Sequence, residues 1–200
     1  CPPVLTGAFD GSLRMWNVEA ADPKDCDMGL LGGYRAPVHR RSVTAVVVDR
    51  PNRRVYSGDA DGIVWPWIWE ARGNRPDSFP AERPLIHPAL RGRSITSLAL
   101  QPKKSRQRKH LLVAARGNVL LLFDMGAKSL LVTYHGASIR TSMIRACFSP
   151  DGKTVVAGSE EGQCNVWNAW VTNESGSLIT PQTRKVSKMK WQYRYGLQMT

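Results

Sequence analysis

Short runs of apolar residues, each closed by a turn signal, recur along the chain and are typical of β-strands. Three of them combine β-branched and other apolar residues, namely SVTAVVVD (42–49), SITSLALQP (94–102) and MIRACFSPDG (143–152). Helical periodicity is not sustained anywhere, and the linker at 70–93 is interrupted by four prolines. The pattern therefore predicts an all-β chain of many short antiparallel strands.

A second pattern repeats along the chain with a period of about 50 residues. It consists of two apolar residues, a small residue and glycine, then three turn residues, a second glycine and, five positions on, tryptophan. A further copy, LVAARGNVLLLF (112–123), is degenerate and has Leu122 in place of tryptophan. The three complete copies are VLTGAFDGSLRMWN (4–17), VYSGDADGIVWPWI (55–68) and VVAGSEEGQCNVWN (155–168).

Each repeat is predicted to be a unit of four antiparallel strands, a to d, in which the second glycine lies in the b–c turn. Glycine suits this turn because it adopts positive φ without steric cost. The tryptophan then lies on strand c, where we expect its indole to fill the gap to the neighbouring unit. The runs TAVVV and VLLLF are apolar at consecutive positions, as expected for strands buried on both faces.

These repeats resemble the WD-repeat β-propeller family, with Asn17 and Asn168 standing where the family has an aspartate after the tryptophan. The resemblance covers nearly the whole chain and implies a partial WD-repeat β-propeller. We expect three full four-stranded blades plus parts of two flanking blades of a seven-bladed ring. Such a segment alone would expose unpaired strand edges, so we interpret the sequence as part of a longer protein.

The expected blade boundaries follow the repeats. They are residues 1–41 for an incomplete first blade (strands b–d) and its connection, 42–92 for a blade with a long basic c–d loop, 93–142 for a degenerate blade with a basic a–b loop, 143–182 for a further blade, and 183–200 for the first strand of the next blade.

The resemblance also implies a buried hydrogen-bond chain that locks each blade. The fourth repeat has Ala157 where the hydroxyl residue of this chain should be, so its network is expected to be broken. The positions assigned to the network are His39, Ser57, Asp61 and Trp67 in the second blade, Thr6, Asp10 and Trp16 in the first, and Trp167 in the fourth.

His39, Ser57 and Asp61 could also be interpreted as a hydrolase triad. The surroundings of Ser57 do not form the G-x-S-x-G turn that exposes a nucleophile, and all three residues fit blade-locking positions. The structural interpretation is therefore favoured over a hydrolytic propeller.

Other motifs that resemble catalytic or ligand-binding sites are also better explained as structural features. SPDGKT (149–154) ends like a phosphate-binding loop, but Cys147 stands where that loop needs glycine. Glu160 and Glu161 are adjacent on a turn, so their carboxylates diverge. The histidines and cysteines have no ligand-like spacing. No catalytic residue, cofactor or metal site is predicted.

The chain is strongly basic, with 28 Lys and Arg against 16 Asp and Glu, a formal net charge of +12. This balance indicates acidic partners, such as acidic protein segments or RNA. The four cysteines form no CxxC pair and are interpreted as reduced thiols of a cytoplasmic protein. No apolar run approaches the ~20 residues that span a bilayer, and no signal peptide is visible.

The positive charge is unevenly placed on the predicted blades. In a four-stranded meander the a–b and c–d turns lie at one end, and the b–c and d–a turns lie at the other. The a–b turns (49–54, 102–110 and 150–153) carry nine Lys or Arg against two Asp, whereas the b–c turns are net acidic, which predicts one basic and one acidic end. The candidate partner-binding residues at the basic end are Arg50, Arg53, Arg54, Lys103, Lys104, Arg106, Arg108 and Lys109.

The resulting functional hypothesis is a non-catalytic scaffold or adaptor for protein–protein interactions. Within the family, the segments at 4–19, 39–64 and 157–168 are similar to a scaffold of the ciliary base and transition zone. This resemblance implies a cilium, basal body or microtubule-associated assembly, with tubulin or other acidic proteins as partners. The alternative is a basic subunit of a ribonucleoprotein that binds RNA, but the basic turns lack the aromatic residues that stack on bases.

Overall fold

The computed structural model describes residues 4–16, 27–30, 39–68, 70–72, 75–78, 81–102, 110–169 and 184–186. For 27–30, 70–72, 75–78 and 184–186 the description is limited to the backbone. All expectations for residues 103–109 and 187–200 therefore lie outside the described residues.

Within the described residues, sixteen β-strands form five antiparallel sheets, and a short 3₁₀ turn at Arg50–Asn52 links two of the strands. The all-β prediction is confirmed. In chain order the strands are β1 (Val4–Gly7), β2 (Leu13–Trp16), β3 (Asp27–Leu30), β4 (Val43–Asp49), β5 (Arg54–Asp59), β6 (Val64–Ile68), β7 (Glu70–Arg72), β8 (Arg75–Ser78), β9 (Ile95–Leu100), β10 (His110–Ala115), β11 (Val119–Asp124), β12 (Ser129–Tyr134), β13 (Ala146–Phe148), β14 (Thr154–Gly158), β15 (Cys164–Asn168) and β16 (Arg184–Val186).

Four of the sheets correspond to successive repeats. They have the orders β1-β2-β3, β4-β5-β6, β9-β10-β11-β12 and β13-β14-β15-β16, and we refer to them as the first to fourth sheets. In the second sheet, single bridges join Val64 to Leu85 and Trp67 to Ala81, so this segment follows β6 where a fourth strand is expected. The fifth sheet is a small hairpin of β7 and β8 within the long c–d loop.

Strand β16 differs from the expected arrangement. We expected residue 183 to begin the next blade, but β16 pairs with β15 and completes the fourth sheet. The segment between β15 and β16 contains turn residues at Asn173, Gly176 and Pro181, so the strand signal near residue 185 is the fourth strand of this repeat and not the first strand of the next.

Three apolar clusters each join one sheet to the next. Trp67 is 1% exposed and packs with Leu13 and Met15 of the first sheet. Trp167, also 1% exposed, packs on the third sheet, where its ring centroid lies 5.6 Å from that of Tyr134. Both indoles therefore fill the gap to the preceding sheet, as the repeat pattern predicts.

Glycines allow the sheets to approach closely. A Cβ atom at Gly58 would lie 2.8 Å from Cγ2 of Ile95 on the next sheet. Gly62, in the b–c turn, has φ of +83°, and a Cβ there would lie 1.8 Å from the carbonyl oxygen of Leu90. These close approaches explain why the two glycines of the repeat recur at fixed spacing.

The stacked four-stranded and three-stranded sheets are those of a partial WD-repeat β-propeller. Trp16 alternates with the buried residues Leu13 and Met15 on β2 and so lies on the face opposite the second sheet. The described residues show a stack of four sheets and not a closed ring, so a total of seven blades stays a prediction.

Candidate functional site

A chain of buried hydrogen bonds runs through the second sheet. Because a carboxylate only accepts, His39 Nδ1–H donates to Asp59 Oδ2 over 2.8 Å. His39 Nε2 lies 2.6 Å from Ser57 Oγ, and Trp67 Nε1–H donates to the same oxygen over 2.8 Å. With the ring proton on Nδ1, Nε2 accepts from the Ser57 hydroxyl, and every member of the chain then has a partner.

The secondary structure brings these four side chains together. Ser57 and Asp59 are two positions apart on β5, so their side chains share one face. Trp67 is on the neighbouring strand β6, and His39 precedes β4. None of the four residues is more than 1% exposed. The structure thus brings together three of the predicted positions, His39, Ser57 and Trp67.

The acidic member of the chain is Asp59, and the expectation that it is Asp61 is wrong. Asp59 Oδ1 also accepts the backbone N–H groups of Asp61 and Ile63, at 3.0 and 2.9 Å, and so closes the b–c turn. The Asp61 carboxylate is 47% exposed and lies 3.7 Å from Arg41 Nε. Asp61 is one residue beyond the first turn position, where the chain has left the strand and its side chain faces solvent.

The first sheet retains only part of this network. Trp16 Nε1–H donates to Thr6 Oγ1 over 2.7 Å, which repeats the tryptophan–hydroxyl bond of the second sheet. Asp10 accepts the backbone N–H of Ser12 over 2.9 Å, and hydrogen bonds from Ser12 hold the pKa of Asp10 below its ordinary value. The position equivalent to Asp59 is Ala8, which cannot supply a carboxylate.

The fourth sheet keeps the tryptophan but replaces its partner. Trp167 Nε1–H donates to the backbone carbonyl of His135 over 3.1 Å, since Ala157 provides no hydroxyl oxygen. The loop before this sheet is tied down by Glu160, which accepts the backbone N–H groups of Ser142 and Thr141. These bonds, that from Ser142 first, lower the pKa of Glu160 to about 2.

The geometry of the second sheet argues against a hydrolase triad. Ser57 is 0% exposed, so its oxygen has no surface that a substrate could approach. The same oxygen also accepts from Trp67, which fixes it inside the blade. The bonds Asp59–His39–Ser57 have the connectivity of a triad, but all three residues are at most 1% exposed.

The a–b end of the stack contains two kinds of cation. Arg50 and Arg53 are exposed and flank the 3₁₀ turn, where Arg53 has a φ of 50°. Arg54 instead forms an ion pair with Glu82, and the two side chains are 27% and 25% exposed. Arg54 is therefore a structural residue in part, which was not expected. Lys103, Lys104, Arg106, Arg108 and Lys109 lie outside the described residues.

The base of the undescribed 103–109 loop is held beside the next a–b turn. Gln101 Nε2–H donates to the carbonyl oxygen of Gly152 over 2.6 Å, and Gln101 Oε1 lies 2.7 Å from His110 Nδ1. These bonds place the ends of the loop next to Lys153. The same turn contains Asp151, whose pKa is lowered by the Ser149 hydroxyl.

The b–c and d–a end is not acidic, which corrects the second half of the charge prediction. That prediction counted the b–c turns alone, although the d–a loops lie at the same end and are rich in arginine. Arg41 lies 3.7 Å from Asp61, and Arg140 lies 3.9 Å from Glu161. The charged residues at this end are Arg40, Arg41, Arg91, Arg93, Arg116 and Arg140 against Asp10, Asp59, Asp61, Glu160 and Glu161.

Metal-binding clusters and membrane-spanning helices are both absent from the part of the chain that the structure describes. No group of three or more His, Cys, Asp or Glu side chains among these residues is arranged to hold a metal ion. No helix formed by the same residues has the length and apolar character required to cross a bilayer.

Known proteins share this repeat. Residues 128–168 match the family model described as WD domain, G-beta repeat. The match begins one residue before β12 and ends with β15, so one sequence repeat spans two sheets and ties them together. Residues 128–168 therefore match a WD repeat, and the stacked antiparallel sheets are consistent with a partial propeller of such repeats.

The chain is also similar to several curated proteins. It is 25% identical to jouberin of Mus musculus over 169 residues, which are 82% of this chain and 15% of jouberin. It is 22% identical to Protein lethal(2)denticleless of Drosophila melanogaster over 216 residues, covering 93% of this chain and 27% of that protein. Autophagy-related protein 16 of Arabidopsis thaliana is 23% identical over 192 residues, with coverages of 94% and 32%. The chain thus spans a third or less of the length of these relatives.

Proposed function

We propose that this chain is part of a non-catalytic scaffold or adaptor that binds other proteins. The observation that carries the proposal is the use of the buried polar side chains. His39, Ser57 and Asp59 are all bonded within one blade, whereas the exposed arginines of the described residues lie mainly in the loops at the two ends. A rigid stack that presents loops from both ends can hold partners in a fixed relative position.

The resemblance to jouberin supports a place in an assembly at the cilium, the basal body or another microtubule-associated structure. The partner at the a–b end would be an acidic protein segment, such as a tubulin tail. We define the basic a–b end as Arg50 and Arg53 together with the five cations of residues 103–109. Arg54 is left out because Glu82 already neutralises it.

Ionic contacts of this kind have a defined reach. At physiological salt the Debye length is ~8 Å, so only a partner segment that lies against these turns gains attraction. Exposed ion pairs contribute ~0.2–1 kcal/mol each, and an appreciable affinity therefore requires several of them together. We expect binding that weakens steeply as salt is raised.

Co-sedimentation with microtubules tests the proposal. The full-length protein is compared on intact microtubules and on microtubules from which subtilisin has removed the acidic tails. We expect the bound fraction to fall several-fold on removal of the tails, and also in a variant with Arg50, Arg53 and the five cations of residues 103–109 changed to Gln. The matched control is R40Q/R91Q at the opposite end, which should retain binding.

The outcome also separates the alternatives. Equal binding to intact and cleaved microtubules would exclude tubulin tails as the partner. Crosslinking to RNA in cells, abolished by the same a–b variant, would instead favour the ribonucleoprotein role. Localisation of the tagged protein at the ciliary base, followed in ciliated cells, tests the assembly itself.

A further inference from the structure

The end of the stack formed by the b–c turns and d–a loops exposes large apolar side chains. Phe9 is 91% exposed, Ile86 65% and Met143 47%, and these are the most exposed large hydrophobic residues in the described part of the chain. They come from three different loops: Phe9 from the first b–c turn, Ile86 from the end of the second sheet, and Met143 from the loop before β13. We refer to this end as the rim.

The rim is a continuous surface, because hydrogen bonds link neighbouring loops from the first sheet to the fourth. Three of the bonds join a b–c turn to a d–a loop, and the fourth joins a b–c turn to Val43, the first residue of β4, so these segments hold one another in place. These bonds are Val43 N–H to Ala8 O at 3.0 Å, Gly92 N–H to Asp61 O at 2.8 Å, Gly117 N–H to Ile139 O at 2.7 Å and Glu160 N–H to Ser138 O at 2.9 Å.

Two of the six rim arginines are paired with carboxylates at the same end, Arg41 with Asp61 and Arg140 with Glu161, and four are outside these ion pairs. Arg93 donates to the backbone carbonyl of Gly117 over 3.2 Å, an interaction that positions the guanidinium without neutralising it. Arg116 Nη2 lies 3.9 Å from Met143 Sδ, which places a cation directly beside an exposed apolar side chain. Among the described residues, Arg40 and Arg91 form no ion pair.

A partner that fits this surface has apolar side chains to cover the exposed apolar residues and negative charge to pair with the arginines. Covering Phe9 removes a large apolar surface from water, at ~25 cal/mol per Å² buried. The planar guanidinium group forms paired hydrogen bonds with a carboxylate. A nucleic acid would match the arginines but would leave aliphatic side chains such as Ile86 against phosphate and sugar.

We propose that the rim docks an extended acidic segment of another protein that also carries aromatic or aliphatic side chains. The apolar side chains of that segment contact Phe9, Ile86 and Met143, and its carboxylates pair with the intervening arginines. The inference rests on the proposed scaffold function, but it concerns the end opposite the basic a–b end. The two ends would then bind separate acidic partners.

Selection from a random dodecapeptide phage library on the immobilised full-length protein tests this proposal. Selected peptides are synthesised with a fluorescent label, and their Kd is measured by anisotropy. We expect enrichment of peptides that combine Asp or Glu with Phe, Trp, Leu or Ile. Phe9→Ser and R40Q/R91Q should each weaken binding by about fivefold or more, which corresponds to the loss of one or two good contacts.

The matched control is R50Q/R53Q, which removes the same charge from two exposed arginines at the a–b end. It should change the affinity by less than about twofold, since the charges lie beyond the screening length. Thermal unfolding checks that all variants remain folded, as expected for exposed positions. Failure to enrich such peptides, or equal loss in both arginine pairs, would overturn the rim proposal while leaving the microtubule test of the a–b end unaffected.

Discussion

Exchanging the two aspartates of the b–c turn is the sharpest test of the blade network. In Asp59→Ala, His39 Nδ1–H loses its acceptor, and the backbone N–H groups of Asp61 and Ile63 lose theirs. In Asp61→Ala, the loss is limited to an ion pair of 3.7 Å with Arg41 between two side chains that are 47% and 68% exposed. Both variants remove one carboxylate at nearly the same place in the chain.

The two changes should differ widely in cost. A buried donor left without its acceptor costs ~1–3 kcal/mol. Asp59→Ala leaves the buried His39 Nδ1–H in this state and also removes the acceptor of two half-buried backbone N–H groups. An exposed pair contributes ~0–1 kcal/mol. We therefore expect Asp59→Ala to lower the free energy of unfolding by about 2–4 kcal/mol, and Asp61→Ala by less than about 1 kcal/mol.

Urea unfolding followed by tryptophan fluorescence measures both values, because Trp67 is part of the network. In thermal unfolding, the Asp59→Ala loss corresponds to a Tm lower by about 10 °C for a domain of this size. The reasoning is refuted if Asp61→Ala lowers the free energy of unfolding as much as Asp59→Ala does. Asp61, the residue that the family resemblance implies, would then be as important to the network as Asp59.

Further predictions concern turns at the same end. Glu160→Gln should lower the free energy of unfolding at neutral pH. Because the pKa of Glu160 is depressed from 4.5 to about 2, the stability advantage of the wild-type protein should be complete above pH 4.5 and should shrink as pH falls towards 2. Urea titrations at several pH values measure this dependence. Gly162→Ala should lower the free energy of unfolding by ~1–2 kcal/mol, because residue 162 has a φ of +71°. There is no steric contribution, since no atom lies within 4 Å of the new methyl group. Gly62→Ala should cost at least about twice as much as Gly162→Ala, since its Cβ would meet the Leu90 carbonyl oxygen at 1.8 Å and the backbone has to move. Equal losses of Tm in the two glycine variants would contradict the steric explanation.

The turn glycines and the tryptophans could be predicted from the sequence because each has a single physical reason. Gly11, Gly62 and Gly162 all have positive φ, and the indoles of Trp67 and Trp167 are buried between sheets. Both features depend on local backbone geometry and on spacing, and a sequence pattern records these directly.

The family resemblance assigns the acid of the network to Asp61, in the b–c turn, and not to Asp59 at the end of β5. The informative signal was the period of two along a strand, which puts residue 59 on the same face as Ser57. The charge prediction for the rim is wrong for a related reason. It rests on the acidic b–c turns alone, although the d–a loops, including that of Arg93, lie at the same end. In both cases the sequence pattern leaves open which residues share a face of a sheet or an end of the stack.

The degenerate blades show what replaces the network when it is lost. Residues 39, 90 and 139 occupy equivalent places, since the carbonyl of each meets a b–c turn glycine of a neighbouring sheet. Leu90 and Ile139 are both 0% exposed, so two of these three places are filled by an apolar side chain. Replacing a buried polar group together with its partner is often close to neutral, whereas removing one partner is not.

The fourth sheet therefore suggests a compensated variant of the second. His39→Ile combined with Asp59→Ser copies Ile139 and Ser159, and it leaves the bond from Trp67 to Ser57 in place. The serine hydroxyl can still accept in the turn, as Ser159 Oγ does from the Glu161 N–H over 3.4 Å. Because no ring N–H at position 39 is then left without an acceptor, we expect the double variant to be more stable than Asp59→Ala by about 1–3 kcal/mol. A double variant as unstable as the single one, measured in the same urea assay, would show that the apolar side chain does not substitute for the polar chain in this blade.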